Sequence, residues 1–398
     1  MRQIQDAYIV AAPRTPIGRS GRGCFRQTRP DDLLVAAVRN ALAQVPSLDP
    51  KAIEDAIVGC SFPEGEQGMN MARVAMVLAG LPHSVGGVTI NRFCASGLTA
   101  LQMAADRIRV GEAEVMIAGG AESMSLVPMT GNKPSFNPEV FARDENVGIA
   151  YGMGLTAEKV ATLWKVGREA QDAFALQSHQ RALAAIAAGE FKAEMTPVTV
   201  TERAPDLAAG GVTLRTRTVD IDEGPRPDTS LEGLGKLKPV FAAKGSVTAG
   251  NSSQTSDGAG ALIVCSDKAL KTFGLTPLAR FVSFAVRGVA PDVMGIGPIE
   301  AIPAALKSAG LQLDDIGWIE LNEAFAAQSL AVMNTCGLDP ARVNPMGGAI
   351  ALGHPLGATG AIRSATVVHA LHRRQLRYGM VTMCVGMGQG AAGILERV

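Results

Sequence analysis

The sequence predicts an α/β fold made of two copies of one layered plan, with a long segment inserted between them. Three observations carry this. Short apolar, strand-like runs alternate with runs of helical period along the 398 residues. A pattern near Cys94 recurs near His354. Between the two, from roughly 124 to 250, prolines, glycines and charges become frequent, as in Pro128 to Pro138 and Asp222 to Pro227.

The elements follow in order. Ala7–Ala11 is an apolar run closed by Pro13 and reads as a buried strand. Leu33–Leu42 has a helical pattern, and Ala56–Gly59 is strand-like again. Gly87–Ile90 leads into Asn91-Arg92-Phe93-Cys94. Leu98, Leu101, Ala105 and Ile108 then share one helical face that ends at Gly111. Val115–Ala118 is a strand that stops at Gly119-Gly120. The insertion carries one clear helix near Arg168–Ala188. In the last part, Ala301–Ala309 is helical and Trp318–Leu321 is a strand ending at Asn322. Ala358, Ile362, Ala365 and Val368 line a helical face, and Met380–Met383 is a strand. Aligning the helix starts sets Gly97-Leu98-Thr99 on Gly357-Ala358-Thr359. Each glycine then follows a reactive residue, Cys94 or His354, by three positions. The following strands set Ala118 against Cys384.

Composition narrows the function. Lys plus Arg and Asp plus Glu are both 37, so no global field favours nucleic acid or an anionic membrane. Aromatic residues are 4 %, too few for base-stacking platforms. No apolar run reaches the roughly 20 residues of a membrane span, and the first residues lack the apolar core of a signal peptide. The six cysteines, at 24, 60, 94, 265, 336 and 384, form no CxxC pair. That disfavours zinc and suits free thiols in a reducing cytoplasm. There is no GxxxxGK[ST] phosphate loop, and Gly386-x-Gly388-x-Gly390 lacks the spacing of a dinucleotide site.

Four segments carry candidate chemistry. Cys94 stands between a strand and a helix, where unpaired N–H groups and the helix dipole favour thiolate below the free value of about 8.5. Such a turn also leaves backbone N–H groups free to hold an oxyanion. A free cysteine is equally often a small buried apolar residue, and Cys94 alone leaves both readings open. His354 lies among closely spaced glycines that let backbone or ligand approach, and it could take a thiol proton. His179, His369, His372 and His83 read as structural or solvent-facing. Cys384 ends a strand and opens a glycine-rich turn, where a second thiol could shuttle a proton. Asn322, at a strand end, could hold a water or a carbonyl oxygen, or simply cap a turn. A long insertion between packed repeats reads as a lid or binding surface.

Together and in this order, these segments resemble the thiolase family. Pro13-Arg14-Thr15-Pro16-Ile17-Gly18 and Thr248-Ala249-Gly250-Asn251-Ser252-Ser253 extend the resemblance over nearly the whole chain. It implies a thiolase fold of two duplicated αβαβα layered halves, each with five strands. Residues 1–123 form the first half, completed by about 251–275; 124–250 form a loop domain covering coenzyme A; 276–398 form the second half. It implies thiolytic cleavage of a 3-ketoacyl-CoA by CoA through an acyl-Cys94 intermediate. Cys384 protonates the acetyl-CoA enolate and then deprotonates the incoming thiol. His354 activates Cys94 and, with a water held by Asn322, stabilises one oxyanion. The N–H groups of Cys94 and Gly386 form the other oxyanion hole. Ser253 matches a pantetheine contact, Arg226 a residue near the adenine ring, and Met153 an acyl-pocket residue. CoA is then a substrate, with no permanently bound cofactor and no metal. The resemblance further implies a homodimer or homotetramer and allows a β-oxidation partner subunit.

Three departures stand out. Cys94-Ala95-Ser96-Gly97 replaces the commoner Cys-Ser-Ser-Gly or Cys-Gly-Ser-Gly. Met387 stands where glycine is usual. Gly152 stands where short-chain acetoacetyl-CoA thiolases carry histidine, which favours a degradative enzyme over the biosynthetic acetoacetyl-CoA thiolase. Cys384 in the second catalytic slot argues against a ketoacyl synthase, and the presence of all three reactive groups argues against a non-catalytic acyl-CoA or lipid-binding relative.

Overall fold

In residues 4–398, which the computed structural model describes, the first half runs β1 (Tyr8–Ala11), β2 (Gly18–Arg19), α1 (Pro30–Gln44), β3 (Asp55–Gly59), α2 (Met71–Ala79), β4 (Val88–Ile90), α3 (Ser96–Arg109) and β5 (Val115–Ser123). The insertion contributes α4 (Met153–Leu163), α5 (Arg168–Ala187), β6 (Val198–Asp206), β7 (Gly211–Val219) and α6 (Leu231–Gly235). After it come β8 (Ser256–Cys265) and α7 (Asp267–Phe273). The second half follows as β9 (Ala279–Gly288), α8 (Gly297–Ala309), β10 (Ile316–Leu321), α9 (Ala326–Cys336), α10 (Ala349–Leu352), α11 (Leu356–Arg373), β11 (Tyr378–Val385) and β12 (Gln389–Arg397).

The duplication is visible in strand pairing. One half orders its strands β4-β3-β5-β8-β1 and the other β10-β11-β12-β9. In each, the inner β3–β5 or β10–β11 pair is parallel and the next two pairs are antiparallel. One expectation is corrected here. The second half has four paired strands, and only Val343, bridged to Ile319, stands in the fifth place. Asn344 has φ of 44° and the following Pro345 has no N–H, so pairing cannot extend. The two sheets are continuous. Tyr8 and Ile9 pair with Arg280 and Ala279, joining them edge to edge. A second correction concerns register. β5 runs through Gly119 and Gly120 to Ser123, so Ala121, not Ala118, holds the place that Cys384 holds in β11.

Every residue of β5 and β8 is buried, as expected of strands covered on both faces. α1 covers one face of the first sheet, while α8 and α9 cover the outer face of the second. α3 and α11 lie in the middle and pack on each other, and each touches strands of both halves. The five layers are therefore shared: each half supplies an outer helical layer, a sheet and one central helix.

The central helices meet through backbone. A Cβ added at Gly97 would lie 2.6 Å from the Ala361 nitrogen, and one at Gly357 would lie 2.6 Å from the Cys60 Cα. One added at Gly360 would collide with the Leu98 nitrogen. These glycines are kept free of side chains by the crossing itself.

The insertion is ordered. α5 matches the expected helix, whereas α4 and the β6–β7 hairpin were not expected. Arg14, 1 % exposed, ties the hairpin's two ends to the first half: Nε donates to Glu194 Oε1 at 2.6 Å, and Nη1 and Nη2 donate to Asp222 at 2.8 and 2.9 Å. Among the described residues no helix is long and apolar enough to cross a membrane.

Gly360→Ala should destabilise the fold by roughly 1–3 kcal/mol, the usual cost of overpacking. Gly167→Ala, where an added Cβ meets nothing within 4 Å, should change little. Denaturant unfolding of the two variants beside the wild type checks the difference.

Candidate active site

Cys94 sits in a short turn between β4 and α3, two positions before the helix starts. Phe93, just before it, has φ of 43°, a left-handed conformation that a bulky residue adopts only under constraint. The turn is held by short bonds. Phe93 N–H donates to Asn91 Oδ1 at 2.7 Å, Arg92 N–H to Ser96 Oγ at 2.8 Å, and Ser96 Oγ–H to the Phe93 carbonyl at 2.6 Å. Ser96 thus closes the elbow with its own hydroxyl.

His354 repeats this placement in the other half. It lies two positions before α11, and α11 packs on the turn that holds Cys94. Gly353 has φ of 108°, and a Cβ there would meet Ile17 and Ser256 at 2.6 Å, so only glycine leads the chain into His354. The His354 N–H donates to Ser256 Oγ at 3.1 Å. Its ring is buried, with Nδ1 2.7 Å from Thr359 Oγ1 and Nε2 3.2 Å from Asn322 Nδ2. Asn322 is fixed in turn by its own N–H, which donates to the Thr382 carbonyl at 2.9 Å. Neighbouring Glu323 is buried and accepts from Ser178 Oγ, Asn344 Nδ2 and Ile350 N–H.

Cys384, the residue before the last of β11, is fully buried in a cluster with Phe325, Met294 and Ala157 against which Met153 packs. The hairpin turn after it runs Gly386-Met387-Gly388. Met387 has φ of 64°, the conformation for which glycine is the ordinary choice. The Gly386 N–H lies near enough to the Cys94 thiol to pull its pKa down. Met153 is the first residue of α4, and a Cβ on Gly386 would lie 3.9 Å from its sulfur. Cys94, Cys384, Gly386 and Met153 therefore meet at one place, beside the start of α11.

Ser253 and Arg226 lie in the wall of one cleft of about 610 Å³, with Arg19, Arg22, Phe241 and His179. The Ser253 N–H donates to the Ala324 carbonyl at 2.9 Å, which ties this wall to the strand end that carries Asn322. Arg226 is exposed and paired with Asp228 at 3.1 Å. His179 also lines this cleft, a place that its helical context hid. It is buried in the cleft wall and its Nδ1 accepts the Arg226 N–H at 3.2 Å. Burial and nearby Arg226 push its pKa down to about 4. His369 and His372 bond to the carbonyls of Ala12 and Leu278 and are structural, as expected.

Electrostatics correct one expectation. Cys94 does not rest as thiolate. Burial pushes its thiol up to about 11, outweighing the N–H groups of Gly386 and Cys94 that pull it down. Cys384 is raised still further by burial and by the neighbouring Cys94 sulfur. Burial, then the Arg363 charge, pushes His354 down to about 3, so its imidazole is neutral. Buried Glu122 accepts from Ser61 N–H at 2.7 Å and Gly357 N–H at 2.8 Å, and joins the start of α11 to the first half. Among the described residues no group of three or more His, Cys, Asp or Glu is placed to hold a metal ion.

The family described as thiolase, N-terminal domain, matches residues 7–268, and that described as thiolase, C-terminal domain, matches residues 275–397. The chain belongs to the thiolase family. A 3-ketoacyl-CoA thiolase of Bacillus subtilis is 48 % identical over 99 % of this chain and 100 % of its own. A 3-oxoadipyl-CoA/3-oxo-5,6-dehydrosuberyl-CoA thiolase of Escherichia coli is 46 % identical over the same shares. The crystal structure of human mitochondrial 3-ketoacyl-CoA thiolase in complex with CoA superposes with a TM-score of 0.88 at 39 % identity, covering 100 % of both chains. The acetyl-CoA acetyltransferase of Bacillus anthracis superposes at 0.90 with 37 % identity, again over 100 % of both. The thiolase fold expected from the sequence is thus the fold of the chain.

Neutral, buried His354 makes stability depend on pH. Its folded pKa of about 3 lies below the unfolded value of about 6.5, so the unfolded chain binds the proton first. The contribution is complete above pH 6.5 and is lost as pH falls toward 3, by about 1.4 kcal/mol per pH unit for one group. His179 acts with the same sign. His354→Asn should therefore flatten the fall of unfolding free energy between pH 6.5 and 5. Chemical denaturation of both proteins across that window measures it, and parallel curves would refute it.

Proposed function

We propose that this chain is an acetyl-CoA C-acyltransferase that cleaves 3-ketoacyl-CoA with CoA, giving acetyl-CoA and a shortened acyl-CoA. The observation that supports this most is the meeting of Cys94, Cys384 and the Gly386 N–H at the paired starts of α3 and α11, beside a cleft that holds Ser253 and Arg226. The 3-ketoacyl-CoA relatives and the superposition on a CoA complex support the substrate class.

In this reading Cys94 attacks the keto carbon, with His354 as its base. The carbon–carbon bond breaks to leave acyl-Cys94 and the enolate of acetyl-CoA. Cys384 gives that enolate a proton and takes one from the CoA thiol that releases the acyl group. Covalent catalysis splits one hard displacement into two easier steps. The enolate forms only because its thioester oxygen is held by preorganised donors. His354, with a water held by Asn322, serves one oxyanion, and the N–H groups of Cys94 and Gly386 serve the other. Ser253 contacts pantetheine, Arg226 lies by the adenine, and Met153 lines the acyl pocket.

The same reading takes residues 1–123, completed by about 251–275, and 276–398 as the two halves, and 124–250 as the domain over CoA. It assigns the enzyme to β-oxidation in the cytoplasm and to a homo-oligomer. The assembly is supported by β4, a sheet-edge strand with Val88 exposed, beside exposed Val74, Val77 and Leu78 of α2.

Incubation with acetyl-CoA should add one acetyl group to the Cys94 peptide, read by mass spectrometry. Cys94→Ser should gain none and lose thiolysis, because a hydroxyl is a far weaker nucleophile than a thiol. Cys384→Ala should still acylate at Cys94 but cleave 3-ketoacyl-CoA about 10²–10⁴-fold more slowly, and should lose exchange of the acetyl α-proton with solvent. Near-normal thiolysis in either variant would remove that residue from the mechanism.

A further inference from the structure

His354 has two ring nitrogens and, being neutral, one N–H. Which nitrogen carries it decides whether the ring meets the substrate as donor or as acceptor. Nδ1 faces the hydroxyl of Thr359 at 2.7 Å, and Nε2 faces the side-chain amide of Asn322 at 3.2 Å. Thr359 is 1 % exposed, in the first turn of α11, and His354 is its side chain's hydrogen-bond partner among the described residues.

Two arrangements are open. If Nδ1 carries the hydrogen, it donates to Thr359 Oγ1, and Nε2 accepts from Asn322 Nδ2. The Thr359 hydroxyl hydrogen then has no acceptor, and Asn322 Oδ1, also buried, has no donor. If Nε2 carries the hydrogen, the Thr359 hydroxyl donates to Nδ1. Turning the Asn322 amide over, a change that leaves its shape the same, lets Oδ1 accept from Nε2–H. The Asn322 NH₂ then stands where Oδ1 stood, with both of its hydrogens left to donate. The second arrangement satisfies the buried hydroxyl and the buried carbonyl oxygen, and a buried hydroxyl without an acceptor is the costlier state.

We infer that Thr359 is a positioning residue that sets the resting tautomer of His354: its hydroxyl donates to Nδ1 and holds the ring's hydrogen on Nε2. This rests on the reading of His354 as a catalytic group and deepens it. In this form His354 meets a developing thioester oxyanion as a donor. Its work as a base toward Cys94 needs the other form, with Nδ1–H donating to Thr359. A hydroxyl can serve either form, because it both donates and accepts. A carboxylate in its place would accept only and lock the hydrogen on Nδ1. Thr99 stands at the matching place in α3, and there the hydroxyl has no hydrogen-bond partner among the described residues.

The test uses the full chain, labelled with ¹⁵N-histidine, with the His354 signals identified by their absence in His354→Asn. Long-range proton–nitrogen correlation should show His354 Nε2 protonated and Nδ1 bare. Thr359→Val removes the hydroxyl at nearly constant volume. It should lose this single signature and lower kcat on the order of tenfold with KM little changed, as expected when a partner that orients a catalytic ring is removed. Thr359→Ser should restore both. The proposal is overturned if the wild type carries its hydrogen on Nδ1, or if Thr359→Val keeps the Nε2–H signature. Should Thr359→Val fail to fold, the wild-type and Thr359→Ser spectra decide alone. The tautomer is read without turnover, so a wild type that shows Nε2–H but no thiolysis would overturn the functional reading and leave this one standing.

Discussion

The crossing of α3 and α11 through bare backbone is the constraint on which the rest of the structure depends. Gly97 and Gly360 let two helices from different halves approach without side chains between them, and Gly357 lets the start of α11 lie against the backbone of Cys60 and Ser61. Each helix begins two residues after a candidate reactive group, and their approach packs α11 on the turn that holds Cys94. Separation by one side-chain layer would leave two half-sites. Glu122 adds a polar clamp by accepting from Ser61 and Gly357, one residue from each half. The site is a product of the duplication, and neither copy holds it alone.

A second constraint fixes the covering segment. The β6–β7 hairpin is largely exposed and has little core of its own, so it must be pinned at its ends. Arg14 does this from full burial by holding Glu194 and Asp222. Removing one partner of such a buried pair typically costs about 3–5 kcal/mol, because a charge is left without company. Between those pinned ends and β8 runs the chain that builds the cleft wall from Arg226 to Ser253, so the tether in the first half also orders the wall.

The parts of this arrangement that were legible in the sequence are those written in local patterns. Apolar runs marked β1, β3, β5, β10 and β11, and the helical faces of α3 and α11 were plain. Cys94 and His354 were legible because glycine and a strand-to-helix change surround them. Other parts were written in tertiary terms. α4 and the hairpin lie in a stretch whose prolines and glycines read as loop, and their order comes from Arg14 and from packing on the second half. His179 looked like any histidine on a helix, and its place in the cleft depends on where Arg226 returns. The resting state of Cys94 was misjudged for a related reason. Sequence reveals a helix start but not how much protein covers it, and here desolvation outweighs the dipole.

That dryness shapes the chemistry. Both thiols rest protonated and His354 rests neutral, so the three central groups carry no charge before substrate arrives. In the proposed reaction, charge is created only when the thioester or keto oxygen begins to take it up. It then appears in a pocket where water cannot screen it and where fixed donors already point. The burial that raises the Cys94 thiol thus also strengthens the Gly386 N–H as a partner for developing charge. A more exposed Cys94 would ionise more readily, but it would surrender part of the field that stabilises the transition state. On this argument the elevated thiol pKa is a consequence of preorganisation, and the strained Phe93 and Met387 backbone are what hold the two donors in place around it.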